Sequence, residues 1–129
     1  MYAIPTLQAF KPLLDTVAGG ADFVNSLTIA ASTSAASGTL PGATGNSAQA
    51  NPQQPMIYNQ VQIANQTSAW AYVNIGPPSL TTATVAGAYP VAPGAVVVLT
   101  VSGLATTASV ILAAGATAGS VTFTRGVGL

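Results

Sequence analysis

Four side chains carry all the formal charge of this sequence: Lys11, Asp15, Asp22 and Arg125. Asp15 and Asp22 are its only carboxylate side chains, and they lie close together in a Gly-containing stretch. Two carboxyl groups can divide acid and base roles between them. These two have no histidine or cysteine anywhere in the chain to tune them or to complete a metal shell. They suit the capping of a turn or helix, or weak cation binding. Lys11 and Arg125 are expected to pair with them or with a partner, or to be solvated. Without histidine no nucleophile–base relay can be built, and Gly115–Gly119 lacks the Gly-Lys-Ser/Thr ending of a phosphate loop. The expectation is a chain with no catalytic, cofactor-binding or metal-binding residues and no cofactor.

Aromatic rings are the other side chains able to make specific contacts. Trp70, Tyr72, Tyr58 and Tyr89 could stack on a sugar or anchor an interface, since such rings offer a large, partly polar contact area. Half-buried packing within a strand is the favoured account of their alternation. Trp70 and Tyr72 are the candidate aromatic contact face.

The chain has 129 residues, enough for one domain or a small domain with an arm. Charged residues make up 3% of it, where about a quarter is usual. Nothing from Phe23 to Thr124 carries a formal charge. Two isolated cations cannot neutralise a phosphate backbone, so direct nucleic-acid binding is not expected, and a basic membrane-surface helix fails on the same ground. The absence of cysteine leaves the redox compartment open. Disorder fits poorly, because half of the residues are apolar.

Residues 95–113 form the longest apolar stretch. Six of its nineteen residues are Ser, Thr or Gly, Pro93-Gly94 precedes it, Gly115 follows, and no Lys or Arg flanks either end. Two strands joined near Ser102–Thr106 explain it better than a membrane helix of about 20 residues. Pro5, Lys11, Pro12 and Asp15 interrupt the beginning of the chain, which does not read as a secretory leader. Asn65-Gln66-Thr67 matches a glycosylation acceptor pattern, which in a Thr-rich chain is expected by chance.

Residues 1–25 read as an N-terminal arm. Phe10, Leu13, Leu14 and Val17 fall at roughly helical spacing, Pro12 fits a first helical turn, and Gly19-Gly20 would stop such a helix. One short helix and an extended arm both fit. Residues 26–31 alternate Leu27, Ile29 and Ala31 against Ser26, Thr28 and Ala30, a strand pattern. The Ser/Gly/Ala/Pro-rich segment 32–56 is expected as a long loop.

Short strand patterns then recur. Val61 and Ile63 share a face in 57–64, and Trp70, Tyr72 and Asn74 oppose Ala71, Val73 and Ile75. Residues 80–86 are Thr- and Val-rich, and Tyr89–Val91 is a short edge candidate. Residues 95–101 look buried on both faces. Residues 107–113 and 119–124 complete the set. Seven or eight short strands punctuated by Gly and Pro imply an all-β antiparallel sandwich or jelly roll over 26–129.

A soluble domain normally surrounds its core with charge, and net charge near zero promotes association. Edge strands are normally guarded by Lys or Pro. A surface hydrated only by Ser, Thr, Asn and Gln can be covered with few charges to desolvate. Much of this surface is therefore expected to be covered by a neighbour.

The segments Asn59–Gln66, Trp70–Gly76, Val91–Gly94, Ala95–Val101 and Val121–Gly128 together resemble small β-sandwich virion proteins of tailed bacteriophages. In those, a strand reading Tyr-Val-Asn-x-Gly, here Tyr72–Gly76, precedes an apolar strand and a Gly-x-Gly tail, here Gly126–Gly128. The likeness spans residues 57–129. It implies a non-enzymatic protein that decorates or cements a capsid from the outside, made in the host cytoplasm. Its partners would be the major capsid protein and copies of itself, with no direct contact to nucleic acid or membrane. The arm would lace adjoining subunits, with Phe10, Leu13, Leu14 and Phe23 as assembly contacts. The alternatives are a head or tail appendage module binding a receptor or carbohydrate, and a self-assembling surface or filament subunit.

Overall fold

A computed structural model describes residues 11–12, 26–40, 60–77, 79, 82–101 and 105–127. The strands, in chain order, are β1 (Lys11–Pro12), β2 (Ser26–Ala31), β3 (Ala36–Thr39), β4 (Gln60–Asn65), β5 (Ala71–Gly76), β6 (Tyr89–Val91), β7 (Val96–Thr100), β8 (Thr107–Leu112) and β9 (Gly119–Val127). They form two antiparallel sheets. In the first, β9 lies between β4 and β2, β7 flanks β4, and β1 pairs with the far end of β9. The second has the order β3-β8-β5-β6.

The pairings nest. β2 pairs with β9, β3 with β8, β4 with β7 and β5 with β6, all antiparallel. A long hairpin rolled on itself in this way, with successive pairs assigned to alternate sheets, is the jelly roll. β2 and β3 meet along one flank, which leaves β7 and β6 along the other.

Strand alternation puts the core where the sequence places it. Ile29 and Ala31 of β2, Val61 and Ile63 of β4, and Val121 and Phe123 of β9 face inward and are buried. Ala71, Val73, Val91, Ala108, Val110 and Leu112 meet them from the second sheet. Burying a side chain of the Val, Ile or Phe kind contributes about 1.5–3 kcal/mol each, as an upper bound.

Three expectations are corrected. The loop expected over 32–56 contains a strand, Ala36–Thr39, whose small residues let it fit beside β8. Its Gly38 faces Leu27 so closely that an added Cβ would lie 2.8 Å from Leu27 Cδ1. Of the Thr- and Val-rich segment 80–86, the described residues 82–86 form no strand: they run into a turn closed by Ala88 N–H on the Thr84 carbonyl and Gly87 N–H on Thr84 Oγ1. Ala83 N–H donates to Ser109 Oγ at 3.0 Å, so this segment covers β8 from outside and buries Ser109. Finally, residues 95–101 are not buried on both faces. β7 is an edge strand, with Val96 59% and Val98 42% exposed.

Within the expected arm, Lys11 and Pro12 are extended and register with Val127 and Gly126. The rest of residues 1–25, including Phe10, Leu13, Leu14 and Phe23, lies outside the described residues, as does 41–59. Among the described residues no helix is long and apolar enough to cross a membrane.

Two glycines allow close approach without needing a special φ, and they differ in what they face. A Cβ on Gly119 would lie 2.8 Å from Thr67 Cγ2 and 3.4 Å from the Thr67 backbone, whereas at Gly38 it meets only the flexible end of Leu27. Gly119→Ala is therefore expected to cost about 1–3 kcal/mol and Gly38→Ala less than about 1 kcal/mol. Urea denaturation of the two variants checks this ordering.

Candidate interaction surface

The outer face of the first sheet is built from the residues that alternate with the core. Register places Thr28, Thr122, Ala64 and Val96 in one row across it, and Ser26, Thr124, Gln62 and Val98 in the next. None carries a charge. The hydroxyls pair with each other: Ser26 Oγ lies 2.8 Å from Thr124 Oγ1 and Thr28 Oγ1 lies 3.1 Å from Thr122 Oγ1. Thr122 also donates to Gln66 Oε1 at 3.3 Å. Such cross-strand hydroxyl pairs stabilise the sheet by tenths of a kcal/mol each. They also satisfy polar groups from within, so that covering the face strips less water than covering free hydroxyls would.

The face changes character across its width. At β2 it is hydroxyl-lined, and at β7 it ends in exposed valines.

Trp70 and Tyr72 share the outer face of the second sheet. Tyr72 is half-buried and registers with Ile111 and Pro90, and Trp70, the residue before β5, is 47% exposed. Tyr89 does not join them: it registers with Val73, on the opposite side of its sheet, at the open edge. Tyr58 lies outside the described residues. Among the described residues the aromatic face is therefore two rings.

Asn65-Gln66-Thr67 turns out to be a structural device. Asn65 is buried at the inner end of β4. Its Nδ2 lies 2.9 Å from the Ala69 carbonyl, 3.0 Å from that of Val91 and 3.1 Å from that of Ala92. Its Oδ1 accepts from Thr67 N–H at 3.0 Å and lies 2.7 Å from Thr67 Oγ1. The single Thr67 hydroxyl hydrogen is shared between Oδ1 and the Ala69 carbonyl, while Oγ1 accepts from Ala69 N–H. This is an Asx turn reinforced by a threonine turn, and its buried carboxamide is inaccessible to modification in the folded chain.

Arg125 is the one side chain in this part of the chain with a full charge, and it points inward. Register sets it beside Val61 and, through it, Leu99. It is 1% exposed, and its Nη2 donates to the Ala105 carbonyl at the mouth of the opposite sheet. Burial lowers its pKa below the ordinary guanidinium value. Among the described residues no group of three His, Cys, Asp or Glu side chains comes together.

The chain matches no protein-family model, no curated protein and no solved structure.

Asn65→Ala leaves buried carbonyls and the Thr67 donors unpartnered and is expected to cost about 2–4 kcal/mol. Asn65→Asp sets a carboxyl oxygen against three carbonyls, which favours its protonated form and raises its folded pKa. The folded state then binds more protons than the unfolded one above the usual carboxylate pKa. Stability is present at acidic pH and falls as pH rises through that range. Chemical denaturation at a series of pH values should show this slope in the variant only.

Proposed function

We propose that this chain is a non-enzymatic structural virion protein of a tailed bacteriophage, decorating or cementing the capsid from outside. The observation that carries this reading is the outer face of the first sheet: uncharged across four strands, with the hydroxyls of Ser26, Thr28, Thr122 and Thr124 paired among themselves, and running out into exposed valines. Such a face can be covered by the major capsid protein, or by another copy of the chain, without desolvating a single ion. The jelly-roll connectivity agrees with the reading, since viral capsid and lectin domains use it, but a shared fold does not by itself assign a role. The resemblance over residues 57–129 adds to it, and the arm, with Phe10, Leu13, Leu14 and Phe23, would lace neighbouring subunits.

Contacts made this way are insensitive to ionic screening. Purified protein added back to shells lacking it should bind to the same extent from about 50 mM to about 1 M NaCl and should raise their resistance to heat or osmotic shock. Deletion of residues 1–25 should remove that protection. Shells equally robust with and without the protein would refute the cementing role.

A second reading rests on Trp70, which is half-exposed on the same face as Tyr72: an appendage module that stacks on a receptor glycan. Loss of glycan binding in Trp70→Ala, with shell attachment intact, would establish that reading.

A further inference from the structure

We propose that β7 pairs edge to edge with β7 of a second copy, antiparallel, about a two-fold axis through Val98. The exposed ladder groups of β7 can be assigned. Asn65 N–H donates to the Ala95 carbonyl at 2.9 Å, and the β4–β7 register runs without a bulge from Gln60↔Thr100 to Ala64↔Val96. Alternation then turns the backbone groups of Val97 and Leu99 toward β4, and those of Val96, Val98 and Thr100 toward the open edge. Among the described residues β7 pairs only with β4.

The strand carries no guard of its own. Residues 95–101 contain no charge, proline or glycine, whereas β6 has Pro90, which lacks an N–H, and β3 is a four-residue strand containing Gly38. β2 also lies at an edge, but its outer side chains are Ser26, Thr28 and Ala30, suited to water. The outer side chains of β7 include Val96 and Val98, exposed at 59% and 42%.

The strand is complementary to itself in one register. With Val98 opposite Val98 of the second copy, Val96 meets Thr100, and all six outward backbone groups on each strand find partners. A shift of two residues either way leaves an end residue unpaired, and a shift of one puts core side chains against the solvent face. In the centred register Val97 faces Leu99 of the second copy. The inward row Leu27–Phe123–Ile63–Val97 then continues into the second subunit. The absence of charge on β7 removes the repulsion that ordinarily prevents such pairing. This inference does not depend on the virion reading, because it concerns the chain alone.

The chain has no cysteine, so single cysteines report cleanly. Directly opposed residues of a hydrogen-bonded antiparallel pair have Cα atoms about 5.5 Å apart, within disulfide range. Val98→Cys in the full chain should oxidise to a disulfide dimer faster than Thr28→Cys, which sits at the opposite edge. Val98→Pro removes an N–H that β4 does not use, and Val98→Lys brings two like charges together. Each should weaken dimerisation at least about tenfold by analytical ultracentrifugation, with circular dichroism unchanged. If Val98→Pro disturbs the fold, Val98→Lys alone decides.

A wild-type chain that stays monomeric at all concentrations, or a dimer indifferent to Val98→Lys, overturns the proposal. So does a thiol in the Val98→Cys variant that becomes protected only on capsid shells, which would give the edge to the shell protein. Shell attachment that survives in Val98→Lys separates failure of this pairing from failure of the capsid reading.

Discussion

The carboxamide of Asn65 holds the roll together at the point where the chain changes sheets. The chain leaves the first sheet through residues 66–70 and returns to it through residues 92–95. Asn65 reaches both passages, through Ala69 in one and through Val91 and Ala92 beside the other. A charged side chain in this place would have to be stripped of its water and could only donate or only accept. A carboxamide donates and accepts without a charge, which suits a chain that has almost no ions. Thr67 is wedged beneath this clasp, and it occupies the space that a Cβ on Gly119 of β9 would need. One buried amide thus couples the turn, the β6–β7 connection and the central strand of the first sheet.

The same economy governs the surface. Hydroxyls on β2 and β9 bond to one another, so the sheet face is polar yet largely self-satisfied. Arg125 breaks the pattern by burying its charge instead of displaying it. Its aliphatic stem fits among apolar neighbours, and its planar head reaches a carbonyl at the rim, a use of arginine that lysine could not match. The outer face of the first sheet is thereby left without charge.

Much of this architecture was legible in the residues. The alternation of Leu27, Ile29 and Ala31, and of Val61 and Ile63, named inward faces correctly, and Trp70 and Tyr72 fell together on the outer face. Strand Ala36–Thr39 was not legible, because Ala, Ser, Gly and Thr carry no apolar period, and its pairing with β8 is decided by tertiary context. The run Ala95–Val101 misled for the opposite reason. An unbroken apolar strand looks doubly buried, and only topology shows that β7 has a neighbour on one side. The clasp at Asn65 was visible as a motif but not as a turn, since the carbonyls that identify it come from Val91 and Ala92, far along the chain.

The order of manufacture follows from the topology. β9 joins β4 to β2 and β1, yet it is the last of the nine described strands to leave the ribosome. Ser26 and Thr124, hydrogen-bonded in the finished sheet, are 98 residues apart in the chain. During translation β2 waits without its partner while the middle of the roll is synthesised. The nascent polypeptide therefore completes its first sheet, and the outer face that sheet supports, only after residues 119–127 have emerged.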